Sequence, residues 1–311
     1  MIPTIDFSCD LLTPDSSCSN VTQSENEHTA TQLIQAFNSV GFCYLVNHGV
    51  PSALVDDVFK TSRQFFDLPS DVKQTYARPT NSNHGWAALE REKLNPERPA
   101  DLKESFNCQS VSQVWPLVVV PDMKSRFIEF LDSCSVLVFR ILDLLAVGLK
   151  LEVDRHFFKK CHSQIGRSDG SSTLRSLFYP RLPSDGSIKP GQVRCGEHSD
   201  YGTLTLLFQD DIGGLQVQNT AGVYVDAKPL PGAVLVNIGD LLQRWTSNRL
   251  KATKHRVLIP EDEMKKGLSR QSIAFFIHPD DNFVIKCLDG SLTYEPTTNR
   301  EYLKHKFALS Y

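Results

Sequence analysis

Apolar positions repeat along this chain with two different periods, and the change of period divides it. Ala30, Leu33, Ile34 and Phe37 follow the i, i+3, i+4, i+7 spacing of an amphipathic helix, which Gly41 ends. FCYLV (42–46) reads as a short buried strand closed by the turn NHGVP, and a second helix is predicted over about Ser52 to Phe66, stopped at Leu68-Pro69. A third, long helix from about Met123 to Leu149 turns Phe127, Leu131, Cys134, Val138, Ile141 and Leu145 inward. From about Leu174 to Ile285 the texture becomes short β-rich runs: SLFYP, TLTLLFQ, GGLQVQ, GVYVDA, AVLVNIG, HRVLI, SIAFFI and FVIKC. Gly213–Gly214 and Pro231–Gly232 supply turns between them, glycine by reaching positive φ and proline by fixing its own. Strands at this spacing imply a sandwich or a barrel.

Composition narrows the class of protein. A chain of 311 residues, 41% hydrophobic and 22% charged, has ample material for a buried core. A net charge of −3, with no basic run longer than Lys265–Lys266, gives nucleic acid no electrostatic handle. The start, MIPTIDFSCD, has no cationic leader followed by an apolar stretch. The one membrane candidate, Val136 to Leu149, is too short and carries Arg140 and Asp143 at i,i+3 on a helix surface, so a helix packed on a core is expected. The eight cysteines (Cys9, Cys18, Cys43, Cys108, Cys134, Cys161, Cys195 and Cys287) are scattered without a CxxC pair. Free thiols in a reducing compartment are the simplest account. The expected setting is a cytoplasmic, monomeric protein with neither nucleic acid nor membrane as partner.

The chemistry concentrates in three places. EHSDYGTLTLL puts His198 and Asp200 one residue apart at the start of a strand-like run, where i and i+2 share a face. His255 precedes the apolar run of HRVLI, and RQSIAFFI sets Arg270 and Ser272 on one face of a further strand. Taken singly, each is ordinary: an HxD pair is usually a loop, a lone histidine usually structural, and RxS usually a solvated edge. Their order, each at the rim of its own strand, makes coincidence a poor explanation. A closed double-stranded β-helix would bring those rims together. Two histidines and a carboxylate form the facial triad of non-haem Fe(II) oxygenases, whereas zinc more often takes a fourth protein ligand or a hydrolytic water. The open half of an octahedral ion suits a bidentate α-keto acid and O2. Arg270 and Ser272 suit the far carboxylate of that acid, and Tyr179 in FYPR is a further donor, equally readable as a half-buried strand tyrosine. Cys195, three residues before His198, has the wrong strand parity for a fourth ligand.

IPTIDFS, GFCYLVNHGVP, FFDLPSDVK and DLKESFN, followed by GEHSDYGTLTLLFQD, GGLQV, VNIGDLLQRWTSNRLKATKHRV and RQSIAFF, resemble in order the isopenicillin N synthase-like Fe(II)/2-oxoglutarate-dependent dioxygenases over nearly the whole chain. The resemblance implies an α+β fold, with a jelly-roll core flanked by helices and a mixed helical and strand N-terminal region. It divides the chain into a dioxygenase N-terminal region over 1–120, a supporting helix and connector over 121–170, and the jelly-roll core over 171–311. It further implies that His198, Asp200 and His255 bind Fe(II) and form the catalytic centre, and that Arg270, Ser272 and Tyr179 bind 2-oxoglutarate. The activity implied is oxidation of a small-molecule metabolite, by hydroxylation or desaturation, coupled to conversion of 2-oxoglutarate and O2 to succinate and CO2. Two departures stand out. Leu177 occupies a position where plant members often carry Asn, and the charged insert PEDEMKKGL lengthens the gap from His255 to Arg270, as an extended surface hairpin would.

Two other readings stay open on sequence alone: an Fe(II) oxidase of the same fold that does not use 2-oxoglutarate, and a non-catalytic metal-holding barrel that binds or senses. Trp86, Phe178, Leu204, Phe208 and Phe276 are apolar candidates for the substrate pocket, each as readily ordinary core. Lys103 and Arg91 are candidates to meet an anionic substrate, with a solvated charge the plainer expectation for both.

Overall fold

The computed structural model describes residues 1–8, 20–80, 82–109, 114–151, 154–167, 170–182, 188–259 and 267–310. Cys9, Cys18, the start of the polar stretch before His28 and most of the PEDEMKKGL insert lie outside the described residues.

The N-terminal region runs β1 (Thr4–Asp6), α1 (Asn20–Ser39), β2 (Phe42–Val46), α2 (Ser52–Phe66), α3 (Ser70–Gln74), β3 (Gly85–Ala87) and β4 (Glu104–Cys108). The helices α4 (Met123–Gly148) and α5 (Phe157–Lys160) lead to β5 (Thr173–Tyr179), β6 (Cys195–His198), β7 (Leu204–Gln209), β8 (Leu215–Gln218), β9 (Tyr224–Asp226) and β10 (Val234–Ile238). Then follow α6 (Asp240–Trp245), β11 (His255–Val257), β12 (Arg270–Ile277), β13 (Val284–Ile285), β14 (Thr297–Thr298) and α7 (Asn299–Ser310). Helices α2 and α4 fall where the apolar spacing predicts them. Helix α1 starts well before its apolar stripe, because Ser24 to His28 are polar and largely exposed and so show no hydrophobic period.

An eight-stranded sheet, in the order β1-β2-β10-β7-β12-β5-β4-β3, faces a four-stranded sheet, β6-β11-β8-β9. Alternation along the strands sorts side chains between two cores. From β12, Ile273, Phe275 and Ile277 pack outward with Val234, Val236 and Ile238 of β10 against α1, α2 and α4. Ala274 turns inward with Leu177, Tyr179, Leu235, Leu215, Val217 and Val257, which fill the space between the sheets. Strands of the N-terminal region complete the same large sheet, β2 pairing with β10 and β4 with β5.

Asp143 departs from its expected surface position. It is buried and accepts a hydrogen bond from His156 Nδ1 at 2.9 Å, while Arg140 donates to the Phe7 carbonyl at 2.8 Å. Among the described residues no helix is long and apolar enough to cross a membrane, and the six described cysteines are buried free thiols.

Candidate active site

His198 is the last residue of β6, and Asp200 lies in the turn that follows, before β7 begins at Leu204. The two candidate ligands therefore do not share a strand face as the HxD spacing suggests; a tight turn aims the carboxylate instead. That turn is fixed from several sides. The Asp240 amide donates to the Asp200 carbonyl at 2.8 Å, Ser199 Oγ donates to Asp240 Oδ1 at 2.8 Å, and the Thr203 amide donates to the Ile277 carbonyl at 2.8 Å. Gly202 is required there by proximity: a Cβ would sit 2.2 Å from the Ile277 oxygen.

His255 opens β11 and pairs directly with His198, so the two imidazoles lie 4.3 Å apart, centre to centre. Asp200 Oδ1 is 3.7 Å from each Nε2, and the three candidate ligand atoms lie within 4.8 Å of one another. The outward nitrogens are committed elsewhere. His198 Nδ1 lies 2.8 Å from the Gly196 carbonyl and His255 Nδ1 lies 3.1 Å from that of Thr253. A carbonyl can only accept, so each Nδ1 carries a proton, and in the neutral ring each Nε2 then presents a lone pair inward. Asp200 Oδ2 accepts from Asn237 Nδ2 and Thr205 Oγ1, both at 2.7 Å, which leaves Oδ1 for an ion. Burial, with His255 adding to it, pushes the His198 imidazole down to about 3 and keeps it neutral. Burial works to raise the Asp200 carboxyl, but His255, His198 and the two hydrogen bonds outweigh it and hold the group below its ordinary value. Two neutral nitrogens and one carboxylate oxygen, each ligand oriented by its own hydrogen-bond partner, fit a divalent non-haem iron. Cys195 is not part of this cluster; its sulfur lies 3.6 Å from Lys103 Nζ. Because the outer partners orient the carboxylate, Asn237→Ala is expected to weaken Fe(II) binding about 10- to 100-fold. Anaerobic titration checks this, and unchanged affinity would remove the orienting role.

The inner face of β12 carries Arg270, Ser272, Ala274 and Phe276 in alternation. Arg270 pairs with Tyr179 across the ladder and Phe276 pairs with Thr173, so the strand has two chemically different ends. At the first end, the Arg270 guanidinium is buried, lies 4.9 Å over the Tyr179 ring, and donates to Ser272 Oγ at 3.2 Å and Gln209 Oε1 at 3.1 Å. Burial, then the Cys195 thiol, push the Tyr179 phenol up, so it stays a proton-bearing donor. Leu177 sits buried opposite Ser272 and offers no polar contact. At the other end is a cavity of about 130 Å³ bounded by His198, Asp200, Asn83, Arg175, Tyr201 and Phe276, and closed by Leu303 and Phe307 of α7. Of the apolar pocket candidates only Phe276 lines this cavity; Trp86, Phe178, Leu204 and Phe208 are buried in the core beneath the helices.

Lys103 also departs from expectation. It is buried, paired with Asp101 at 2.5 Å and Glu92 at 3.6 Å, and Asp101 Oδ1 accepts the Gly196 amide at 2.9 Å. Lys103 thus neutralises the carboxylate that steadies the strand bearing His198; Arg91 stays exposed. Removing one partner of a buried pair costs about 3–5 kcal/mol. Lys103→Met is expected at the lower end, because Arg175, 3.2 Å away, still faces Glu92. Urea denaturation measures it, and a loss below about 1 kcal/mol would refute a structural role for the pair.

Asn83, Arg175, Tyr201 and the residues of α7 escape sequence reasoning, because none stands in a short motif; register alone brings them to the cavity.

Comparison with known proteins agrees with this geometry. The model of a family described as non-haem dioxygenase in morphine synthesis N-terminal matches residues 2–119, and that of the 2OG-Fe(II) oxygenase superfamily matches residues 170–279. The 2-oxoglutarate-dependent dioxygenase htyE of Aspergillus rugulosus is 34% identical, with 92% of both chains covered. The proline hydroxylase buaE of Petromyces alliaceus is 32% identical over 88% of each. Among solved structures, a full-length Neurospora crassa protein in complex with alpha-KG superposes with a TM-score of 0.85 at 33% identity, covering 99% of this chain and 96% of that one. The same protein is also known in complex with alpha-KG and thymine, at a TM-score of 0.84. The chain belongs to the Fe(II)/2-oxoglutarate-dependent dioxygenases, the isopenicillin N synthase-like family. It is an oxidoreductase with a jelly-roll core that uses Fe(II), 2-oxoglutarate and O2.

Proposed function

We propose that His198, Asp200 and His255 hold the iron, that Arg270, Ser272 and Tyr179 hold the distal carboxylate of 2-oxoglutarate, and that the cavity beside Phe276 takes a single small, planar, hydrogen-bonding ring of pyrimidine size, which the enzyme hydroxylates. The observation that carries the reading is the two-ended inner face of β12, with an anion-binding end at Arg270 and a small cavity at Phe276 that also touches His198 and Asp200. Iron bound there, with O2, supplies the oxidising power that converts 2-oxoglutarate to succinate and CO2 and oxidises a substrate C–H bond. The protein's own residues orient the partners. Arg270 and Ser272 fix one end of the co-substrate, and Tyr179 adds a neutral donor. Asn83 and Arg175 offer polar edges to the substrate, and Tyr201 and Phe276 offer ring faces.

Cavity size favours a small substrate, since about 130 Å³ is far below the ~300–1,000 Å³ of pockets that take drug-sized ligands. The thymine and 5-formyluracil complexes of the Neurospora crassa protein support the pyrimidine class. The charge of −3 supports a free metabolite over nucleic acid. In this reading the enzyme works as a cytoplasmic monomer, with the regions 1–120, 121–170 and 171–311 as its parts. The proline hydroxylase relative favours a second substrate class, a small cyclic amino acid. Succinate release from the iron-loaded protein, measured with thymine, uracil and L-proline, tests both. Stimulation by a pyrimidine with a product heavier by one oxygen is expected; stimulation by L-proline alone would overturn the pyrimidine reading.

A further inference from the structure

Next to the Arg270 end of the inner face lies a second guanidinium that the iron and the substrate cavity do not explain. Arg194 precedes β6, is fully buried, and makes one hydrogen bond, from Nη2 to the Leu268 carbonyl at 3.0 Å. Its Nε and Nη1 have no partner, and neither does Nε of Arg270. Arg194 is within electrostatic reach of Arg270, Tyr179 and Asp210, and burial, then Arg270, depress its affinity for its proton.

The charges at this end do not balance. Arg194 and Arg270 are two buried cations, while Tyr179 keeps its proton. Among the described residues Asp210 is the one carboxylate facing both, and it is engaged by the amides of Gln271 and Ile212, the latter at 3.2 Å. Among the described residues neither guanidinium has a carboxylate in ion-pair contact. Two like charges in a low-dielectric interior, with polar hydrogens unsatisfied, are costly without a counter-ion. The deficit is one negative charge, the charge of one carboxylate.

We propose that Arg194 is a second cationic partner of the co-substrate's distal carboxylate, so that Arg270 and Arg194 together bind it and the protein is charge-balanced at this end only when 2-oxoglutarate is present. This rests on Arg270 facing that carboxylate, and it makes Arg194 a determinant of the preference for a five-carbon dicarboxylate over keto acids that end in a methyl group.

The test compares 2-oxoglutarate with 2-oxopentanoate, which keeps the chelating keto acid and replaces the distal carboxylate with methyl. Binding of each to the anaerobic Fe(II) protein is followed by calorimetry in the wild type, Arg194→Met, Arg194→Lys and Arg270→Met. Arg194→Met is expected to weaken 2-oxoglutarate by about 10-fold or more and to leave 2-oxopentanoate unchanged, with Arg194→Lys recovering part of the loss. Without co-substrate, Arg194→Met is expected to melt no lower than the wild type, because a like-charge repulsion has been removed, whereas a merely structural arginine would lower the melting point. Unchanged 2-oxoglutarate affinity in Arg194→Met, or equal losses for both acids, overturns the inference. If Arg270→Met also fails to change the preference between the two acids, the placing of the carboxylate itself is wrong; if Arg270→Met abolishes the preference and Arg194→Met does not, only the role of Arg194 falls. Should Arg194→Met not fold, the Arg194→Lys ratio decides alone.

Discussion

Replacing Asp200 with alanine is expected to abolish stoichiometric Fe(II) binding in a protein that still folds. The carboxylate is the single oxygen donor of the three, and its loss also leaves Asn237 and Thr205 without their acceptor. Loss of an outer partner alone costs about 10- to 100-fold in metal affinity, so loss of the ligand should exceed that. Folding should survive, because the turn is also held by backbone hydrogen bonds that the substitution leaves intact, including that from the Asp240 amide to the carbonyl of residue 200. Anaerobic titration with a chromophoric chelator as competitor gives the affinity, and circular dichroism gives the fold. Full iron occupancy in Asp200→Ala would refute the assignment of the metal site.

Replacing Arg270 with alanine is expected to separate co-substrate from metal. A buried charge pair loses about 2–5 kcal/mol when one partner is truncated, which is roughly 30-fold or more in affinity for 2-oxoglutarate. Iron affinity should hardly move, since Arg270 contacts Ser272, Gln209 and Tyr179 rather than the ligands. In turnover the Michaelis constant for 2-oxoglutarate should rise much more than the maximal rate falls. A mutant that binds the keto acid as tightly as the wild type would refute the placing of its distal carboxylate at Arg270.

Both substitutions concern residues legible in the sequence, and the reason is physical. His198, His255, Arg270 and Ser272 stand at strand termini or on a strand face, where alternation fixes direction. Asp200 shows the limit of that logic: it joins the histidines as the spacing suggests, yet a turn rather than a pleat aims it. Strands β3, β4 and β6 are harder to read, because buried strands usually announce themselves by apolar runs. In β4, Glu104 is buried against Lys73 and Trp86, and Asn107 against Arg175 and Asn83, so the partners that permit burial lie far away in sequence. The same holds for Lys103, which reads as a solvated charge until Asp101 and Glu92 are seen around it. The substrate cavity is least legible of all. Its walls come from seven separate segments, and β-pairing and the docking of α7 bring them together.

The alternation along β12 bears on how such an enzyme can change over generations. Arg270 and Phe276 share a strand face but not a neighbourhood, so a substitution at 276 can retune which molecule is oxidised while the co-substrate end stays intact. A single-residue deletion within the strand has the opposite character. It would reverse the facing of every residue on one side of the gap, turning core side chains such as Ile273 or Phe275 into the site and costing it one whole end. Point substitution is therefore open to this strand as a route to new substrates, and length variation is closed to it. Diversity by insertion is left to the loops between strands.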